Sequence, residues 1–265
     1  MASRQNLVRW LSWISLTAVF GTACWLLSQW QFSRAAEVQK SNDIVLANYD
    51  STPVALEELL KPDSKWNVSL EYRQVLVSGH YLAENYFLIR NRPFAGNPGF
   101  LQLAAFQTDS ESIIWVDRGW LPTGNAQDSP DFVPELNFTH RQLTLRLRPS
   151  EPQLDRTAPT GQLPSIDLKT ASAPIKDQPA YTQAYGRLVN EFPALASGQA
   201  MPMPELNQGN HLSYAMQWIL FALMAFGAVY WTISQDRRRL AGLAPRKIKL
   251  LTRDSDAEAE DKLLD

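Results

Sequence analysis

The sequence predicts a membrane protein of the α+β class, in which two transmembrane helices flank a mostly β extracytoplasmic domain. Two windows of 24 residues, 10–33 and 212–235, contain no charged residue. At about 1.5 Å of rise per residue, a helix of this length spans about 36 Å, which exceeds a hydrocarbon core of about 30 Å. Between the windows, short apolar runs are separated by turns rich in Gly, Pro and Asp, as is typical of strands.

The charges beside these windows predict that both chain ends are cytoplasmic. Arg4 and Arg9 precede the first window, and six Lys or Arg residues lie within 237–249. Basic residues collect on the cytoplasmic side of membrane proteins. The predicted segments are a cytoplasmic N-terminus (1–9), two transmembrane helices (10–33 and 212–235), an extracytoplasmic domain (34–211) and a cytoplasmic tail (236–265) that is basic, then acidic and disordered.

The first window could instead be a cleaved signal peptide, because Ser33-Arg34-Ala35 loosely resembles a small-residue cleavage site. The apolar run is longer than the usual signal-peptide core of about 7–15 residues. Tryptophans near both of its ends are typical of the aromatic belts of a retained span. We therefore expect this helix to stay in the protein as an anchor.

Composition excludes several functional classes for the central segment. Residues 34–211 carry 15 basic and 20 acidic side chains, so this segment has no basic footprint for nucleic acid. The single cysteine, Cys24, lies in the first window, so the segment can form neither a disulfide nor a thiolate metal site. Its sequence also lacks the common hydrolase, phosphate-loop and zinc-protease motifs, and we expect no enzymatic activity.

The central segment predicts a short helix followed by a series of strands. In residues 141–149, leucines alternate with polar side chains, which indicates a strand with one buried face. The predicted elements are a polar connector (34–50), a short helix capped by Ser51 or Thr52 (51–62), strand segments (67–79, 85–91, 99–107, 112–120 and 141–149), a Pro-rich surface excursion (149–179) and a final segment (180–191) that favours a strand over a short helix.

Two arginine-containing segments are candidate binding elements. Residues 90–100, RNRPFAGNPGF, could present Arg90 or Arg92 to an anionic group such as a carboxylate or propionate. The alternative is a plain connector between strands, and turns of this composition are common.

The second segment, VDRGWLP at 116–122, follows an apolar run. Asp117 and Arg118 could form a polar pair beside an exposed Trp120. The alternative is a strand end with an ordinary surface ion pair, which contributes about 0–1 kcal/mol.

His211 stands directly before the second charge-free window. On a helix it shares one face with Tyr214, Ala215 and Trp218. It could be an interfacial anchor, a helix-start residue without further role, or a ligand at membrane depth, since imidazole is a common axial ligand of haem iron. Together with the thioethers of Met201 and Met203 it could also suit copper.

These motifs, in this order, resemble the surfeit locus protein 1 family of cytochrome c oxidase assembly factors. The resemblance covers nearly the whole chain. Its most specific parts are an R-G-W-x-P turn at 118–122 and an H-L-x-Y-A-x-Q-W sequence at 211–218, the latter similar to actinobacterial members.

The resemblance implies a membrane-anchored, non-enzymatic chaperone of the respiratory chain in the cell membrane. Such a protein helps to deliver or stabilise haem a while the core subunit of the oxidase is built. It implies His211 as an axial haem ligand. It also implies the oxidase core subunit and the haem a synthesis machinery as partners.

From charge and shape we further expect Tyr214 and Trp218 to flank the porphyrin, and Arg118 and Arg92 to meet a haem propionate. Two rivals belong to other classes. One is a copper chaperone that uses Met201, Met203 and His211. The other is a cofactor-free structural scaffold bound to the oxidase.

Overall fold

The computed structural model describes residues 4–125, 128–175, 178–207 and 209–244. They divide into a helical unit, made of residues 4–38 and 209–244, and a β domain, made of residues 39–207. The acidic tail beyond Lys249, which we predict to be disordered, lies outside the described residues.

The elements follow one another in a simple order. They are α1 (Arg4–Asn48), β1 (Val54–Ala55), α2 (Leu56–Leu59), a 3-10 turn (Val68–Leu70), β2 (Gln74–Ile89), β3 (Gly99–Thr108), β4 (Ile113–Pro122), β5 (Arg141–Pro149), β6 (Gln162–Leu163), α3 (Leu168–Ser172), a second 3-10 turn (Ala173–Ile175), β7 (Ala184–Phe192) and α4 (His211–Leu240).

The helices α1 and α4 contain the two charge-free windows, and both are long and apolar enough to cross a membrane. Within the helical unit they pair antiparallel. The Ser28 hydroxyl donates a 3.1 Å hydrogen bond to the carbonyl oxygen of Ala215. Toward the chain ends, Arg9 forms a 2.5 Å ion pair with Asp236. Antiparallel pairing places the N-terminal end of α1 and the C-terminal end of α4 at the same end of the helix pair.

The start of the β domain differs from the prediction at two points. The polar connector predicted at 34–50 is helical as far as Asn48, because α1 continues through it; residues 34–48 contain neither Gly nor Pro, so nothing in them ends the helix. The short helix is only Leu56–Leu59 and has no side-chain cap, because Val54–Ala55 pairs with β2 as a parallel strand instead of forming the first helical turn.

Five strands of the β domain close into a barrel. The ring runs β2-β3-β4-β7-β5 and closes because β5 also pairs with the first half of β2, from Gln74 to Gly79. The long β2, a strand of 16 residues, joins residues 74–79 of the first predicted segment to residues 85–89 of the second, whereas Val68–Leu70 in the first segment form a 3-10 turn. The final predicted strand is confirmed as β7.

Each barrel strand contributes to a core inside the ring. The alternation predicted for β5 is confirmed, since its three leucines are fully buried and the side chains between them are not. The inner core consists mainly of Val75, Val77, Tyr81, Ala104, Phe106, Ile114, Val116, Leu143, Leu145, Leu147 and Ala184.

A second core covers the outer face of β3 and β4, which explains why these strands are apolar on both faces. The segment predicted as a surface excursion supplies part of this core through Leu163, Ile166, Leu168 and Ala171. The excursion prediction is therefore wrong. The segment has little periodicity because it packs through isolated apolar residues and a single helical turn rather than through a long regular face.

Candidate functional site

His211 is the first residue of α4, and its side chain is oriented by the partner helix. Its ring Nδ1 lies 2.9 Å from Oε1 of Gln31 on α1. An amide oxygen can only accept, so Nδ1 is the donor in this contact, and in the neutral form of the ring Nε2 would keep its lone pair for another partner. A hydrogen bond of this kind to one ring nitrogen is how proteins orient histidine ligands.

The face of α4 that begins at His211 packs on α1 in part. Ala215 is fully buried against α1, and Trp218 is half-buried with its ring perpendicular to Phe221. Tyr214, by contrast, has 51% of its surface exposed. Of the two aromatic residues expected beside a porphyrin, Tyr214 therefore has the more exposed side chain.

Arg118 lies inside the β domain in a buried polar network. It is 1% exposed. Its guanidinium donates hydrogen bonds to Oε1 of Gln102 and Oε1 of Glu191, each at 3.1 Å, and stacks 4.9 Å from the ring centroid of Tyr81. The Tyr81 hydroxyl completes the network by donating to Oε2 of Glu191 at 3.1 Å. Burial raises the pKa of Tyr81, so this hydroxyl stays a donor.

The structure contains neither of the alternatives considered for the 116–122 segment, because Asp117 and Arg118 do not pair, both are buried, and so is Trp120. Successive strand residues point to opposite faces, so Asp117 turns away from Arg118 and accepts from Nε of Arg187 at 3.1 Å. Trp120 is buried and donates through Nε1 to the carbonyl oxygen of Arg92 at 2.6 Å.

The R-G-W-x-P motif is not a turn but the second half of β4. A register shift between β3 and β4 adds one residue to β4 at this point, where Gly119 has φ +106°. A Cβ on Gly119 would lie 2.7 Å from backbone atoms of Gly198. The glycine therefore allows the chain at Gly198 to pass directly against the strand.

Both arginines of the 90–100 segment are engaged by acidic side chains. Arg90 pairs with Asp128, and Arg92 forms a two-pronged ion pair with Glu151. Burial would raise the pKa of Glu151, but hydrogen bonds from Arg92 and from the Ile166 amide lower it below its ordinary value. This arrangement favours the interpretation of the segment as a connector between strands. A propionate bound there would have to share Arg92 with Glu151.

The thioether of Met201 packs against the second core of the β domain. Within the described ranges, no group of three or more His, Cys, Asp or Glu side chains could hold a metal ion. His140, one of the two other histidines, forms a 2.9 Å contact with Asp109 on the surface. The roles of His211 toward a metal centre and of Met201 and Met203 toward copper remain predictions.

Sequence reasoning missed three partners of the predicted site residues. Gln31 is one of two amide side chains near the end of a charge-free window, and that position was a usable signal. Glu191 and Gln102 carried no such signal, because they lie 73 and 16 residues from Arg118 in the chain.

Comparison with known proteins agrees with this architecture. The sequence model of the SURF1 family matches residues 18–223. Uncharacterised SURF1-like proteins of Mycobacterium bovis and Mycobacterium tuberculosis are each 27% identical over 235 residues, which is 87% of this chain and 86% of theirs. The match runs from the first charge-free window through the barrel and into the second, and it confirms the predicted resemblance.

Proposed function

The chain belongs to the SURF1 family, known generally as oxidase assembly factors, and we propose that it aids the assembly of a haem–copper cytochrome c oxidase by binding haem a through His211. The observation that carries the proposal is the hydrogen bond between His211 and Gln31. It leaves Nε2 as the free nitrogen, and a neutral imidazole nitrogen is a common axial ligand of haem iron.

The residues around His211 suit an extended apolar ligand. α4 offers the exposed ring of Tyr214 one turn from His211, and both helices are apolar along their windows. A bound haem would supply an iron centre that accepts a nitrogen ligand. His211 would hold and orient the haem, Gln31 would orient the ring of His211 through Nδ1, and the apolar helix surface would exclude water from one side of the haem.

The position of His211 supports a transient carrier rather than a permanent haem protein. The ring is half-buried at a helix end, and within the described part of the chain no second histidine belongs to the helical unit. One protein ligand holds haem less firmly than two. Such a site can release haem to the core subunit of the oxidase, which we propose as the partner.

The decisive experiment is absorbance of the full chain, purified in detergent and supplied with haem. We expect a Soret shift for the wild type, its loss in His211→Ala, and its retention in His140→Ala, the control that removes a surface histidine.

The same preparation separates the rival functions. Copper bound with no Soret shift, and lost in Met201→Leu, would replace the proposal with a copper chaperone. A protein that binds neither haem nor copper but co-purifies with the oxidase core subunit would be a structural scaffold. A Soret shift that is unchanged in His211→Ala would refute ligation by this residue.

A further inference from the structure

An apolar groove of about 130 Å³ lies between α1 and α4, near the end of the helix pair where α1 begins and α4 ends. Its wall consists of Trp13, Ala228, Val229, Thr232 and Ile233. The hydroxyl of Thr232 donates to the carbonyl oxygen of Ala228 on its own helix at 2.8 Å, so the wall presents apolar surface. A dry cavity of about 150 Å³ admits a benzene-sized molecule. The groove therefore has room for a segment of a hydrocarbon chain.

An ion pair bridges the two helices one turn beyond this groove. Nη2 of Arg9 lies 2.5 Å from Oδ2 of Asp236, and the same oxygen accepts from Nε1 of Trp10 at 3.2 Å. Residues four apart lie on the same face of a helix, which places Arg9 one turn from Trp13 on α1. Asp236 lies one turn from Thr232 on α4 for the same reason. The apolar groove thus ends at charged side chains that join the helices.

Basic residues outnumber acidic residues at this end of the helix pair. Within residues 4–13 and 228–244, Asp236 is the one acidic residue, whereas five residues are arginines, namely Arg4, Arg9, Arg237, Arg238 and Arg239. Asp236 is already engaged by Arg9 and Trp10. The excess of positive charge is therefore left to attract an anion from outside the helix pair.

Arg239 is the arginine with unused donors on the side of the groove. It lies seven residues beyond Thr232, which is two turns along the same face of α4, and it is within electrostatic range of the Asp236 carboxylate. Its side chain is exposed, and among the described residues its guanidinium forms no hydrogen bond. Arg238, by contrast, is rotated by about 100° around the helix and donates through Nε to a backbone carbonyl at 3.1 Å.

We propose that the groove and these arginines bind one anionic phospholipid, with part of an acyl chain in the groove and the phosphate on Arg9 and Arg239. A guanidinium matches a phosphate in both shape and charge. The arginine excess favours a headgroup with net negative charge over a zwitterionic one. Both helices are long and apolar enough to cross a membrane, whose lipids would supply this ligand. His211 lies at the other end of α4, so the inference does not depend on haem binding.

The test is native mass spectrometry of the full chain in detergent micelles, titrated with phosphatidylglycerol or with phosphatidylcholine of the same acyl chains. We expect the first phosphatidylglycerol to bind with a lower Kd than the first phosphatidylcholine. Arg239→Gln should raise the Kd for phosphatidylglycerol about fivefold, because one basic side chain at the headgroup is lost. Arg238→Gln removes the same charge one position away and should leave this Kd close to that of the wild type.

A second pair of variants tests the groove itself. Ala228→Leu puts a larger side chain into the groove at an exposed position, and it should also weaken phosphatidylglycerol binding. Gly227→Leu is its control, because position 227 is outside the groove wall and no atom lies within 4 Å of a new Cβ there. His211→Ala should bind phosphatidylglycerol normally, which separates this site from the haem proposal.

Three results would overturn the lipid site. The first is an equal Kd for phosphatidylglycerol and phosphatidylcholine in the wild type. The second is equal weakening by Arg239→Gln and Arg238→Gln, which would indicate a diffuse basic surface. The third is wild-type binding in Ala228→Leu, which would show that no acyl chain occupies the groove.

Discussion

Gln31 and His211 join the two long helices through a single hydrogen bond of 2.9 Å, with the amide oxygen accepting from Nδ1 of the ring. The residues are 180 positions apart in the chain. If His211 binds haem as proposed, this contact would leave Nε2 as the ligating nitrogen and would tie the haem site to the pairing of the helices.

Replacing Gln31 by Leu should weaken haem binding without removing the ligand. Loss of the partner that orients a metal-binding histidine typically lowers affinity 10- to 100-fold. Haem titration followed by the Soret band measures the change. Gln29→Leu is the matched control, because Gln29 is an exposed amide two residues away on the same helix. Equal haem affinity for the two variants would show that Gln31 has no orienting role.

The topology prediction is tested by labelling. In a Cys24→Ala background, single cysteines are placed at Gln5 and Ser255, near the two chain ends. Because basic residues near both ends favour the cytoplasm, an impermeant thiol reagent should label neither cysteine in intact cells and both after lysis. A cysteine at Glu84, on the exposed surface of β2, is the positive control and should react in intact cells. Labelling at either chain end before lysis would contradict the predicted topology.

Gly119→Val should destabilise the β domain strongly. The φ of +106° is costly for a β-branched residue, and the new Cβ would lie 2.7 Å from the Gly198 backbone. Strain alone costs on the order of 1–3 kcal/mol, and the clash adds to it.

The control is Gly96→Val, where φ is +81° but no atom lies within 4 Å of a new Cβ. Thermal unfolding should place the Tm of Gly119→Val several degrees below that of Gly96→Val. Similar Tm values for the two variants would mean that the close approach of Gly198 contributes nothing.

Acid should weaken the β domain through Glu151. Its pKa is lowered in the folded state, so the carboxylate contributes stability above the pKa it has in the unfolded chain. That contribution is lost as pH falls through the lower, folded-state pKa. In Arg92→Gln, burial is opposed by fewer hydrogen bonds, so the folded-state pKa of Glu151 moves back toward its unfolded value and this carboxylate contributes less pH-dependent stability. The variant should therefore start less stable at neutral pH, and its difference from the wild type should narrow as pH falls.

The measurement is Tm between about pH 7 and 3. Each kcal/mol of lost stability should lower Tm by a few degrees. Glu84→Gln removes an exposed carboxylate of β2 and should leave the profile of the wild type unchanged. A profile of Arg92→Gln that runs parallel to that of the wild type would show that the pair with Glu151 contributes no pH-dependent stability.

The sequence by itself determined the features that depend on local patterns. Two charge-free windows predict two long helices, and the alternating leucines of 141–149 predict a strand with one buried face. The position of His211 before the second window is enough to select it as a candidate ligand. Each of these signals lies in the same short segment of the chain as the feature that it predicts.

The tertiary structure decided which distant side chains contact the predicted site residues. By simple alternation from Ala184, Glu191 would point out of the barrel, but a register shift between Leu145 and Thr144 on β5 gives β7 an extra residue and turns Glu191 inward to Arg118. The same holds for Gln31, which meets His211 only because α1 and α4 pair antiparallel. Such contacts depend on strand register and helix pairing between distant segments, and no local periodicity in the sequence encodes them.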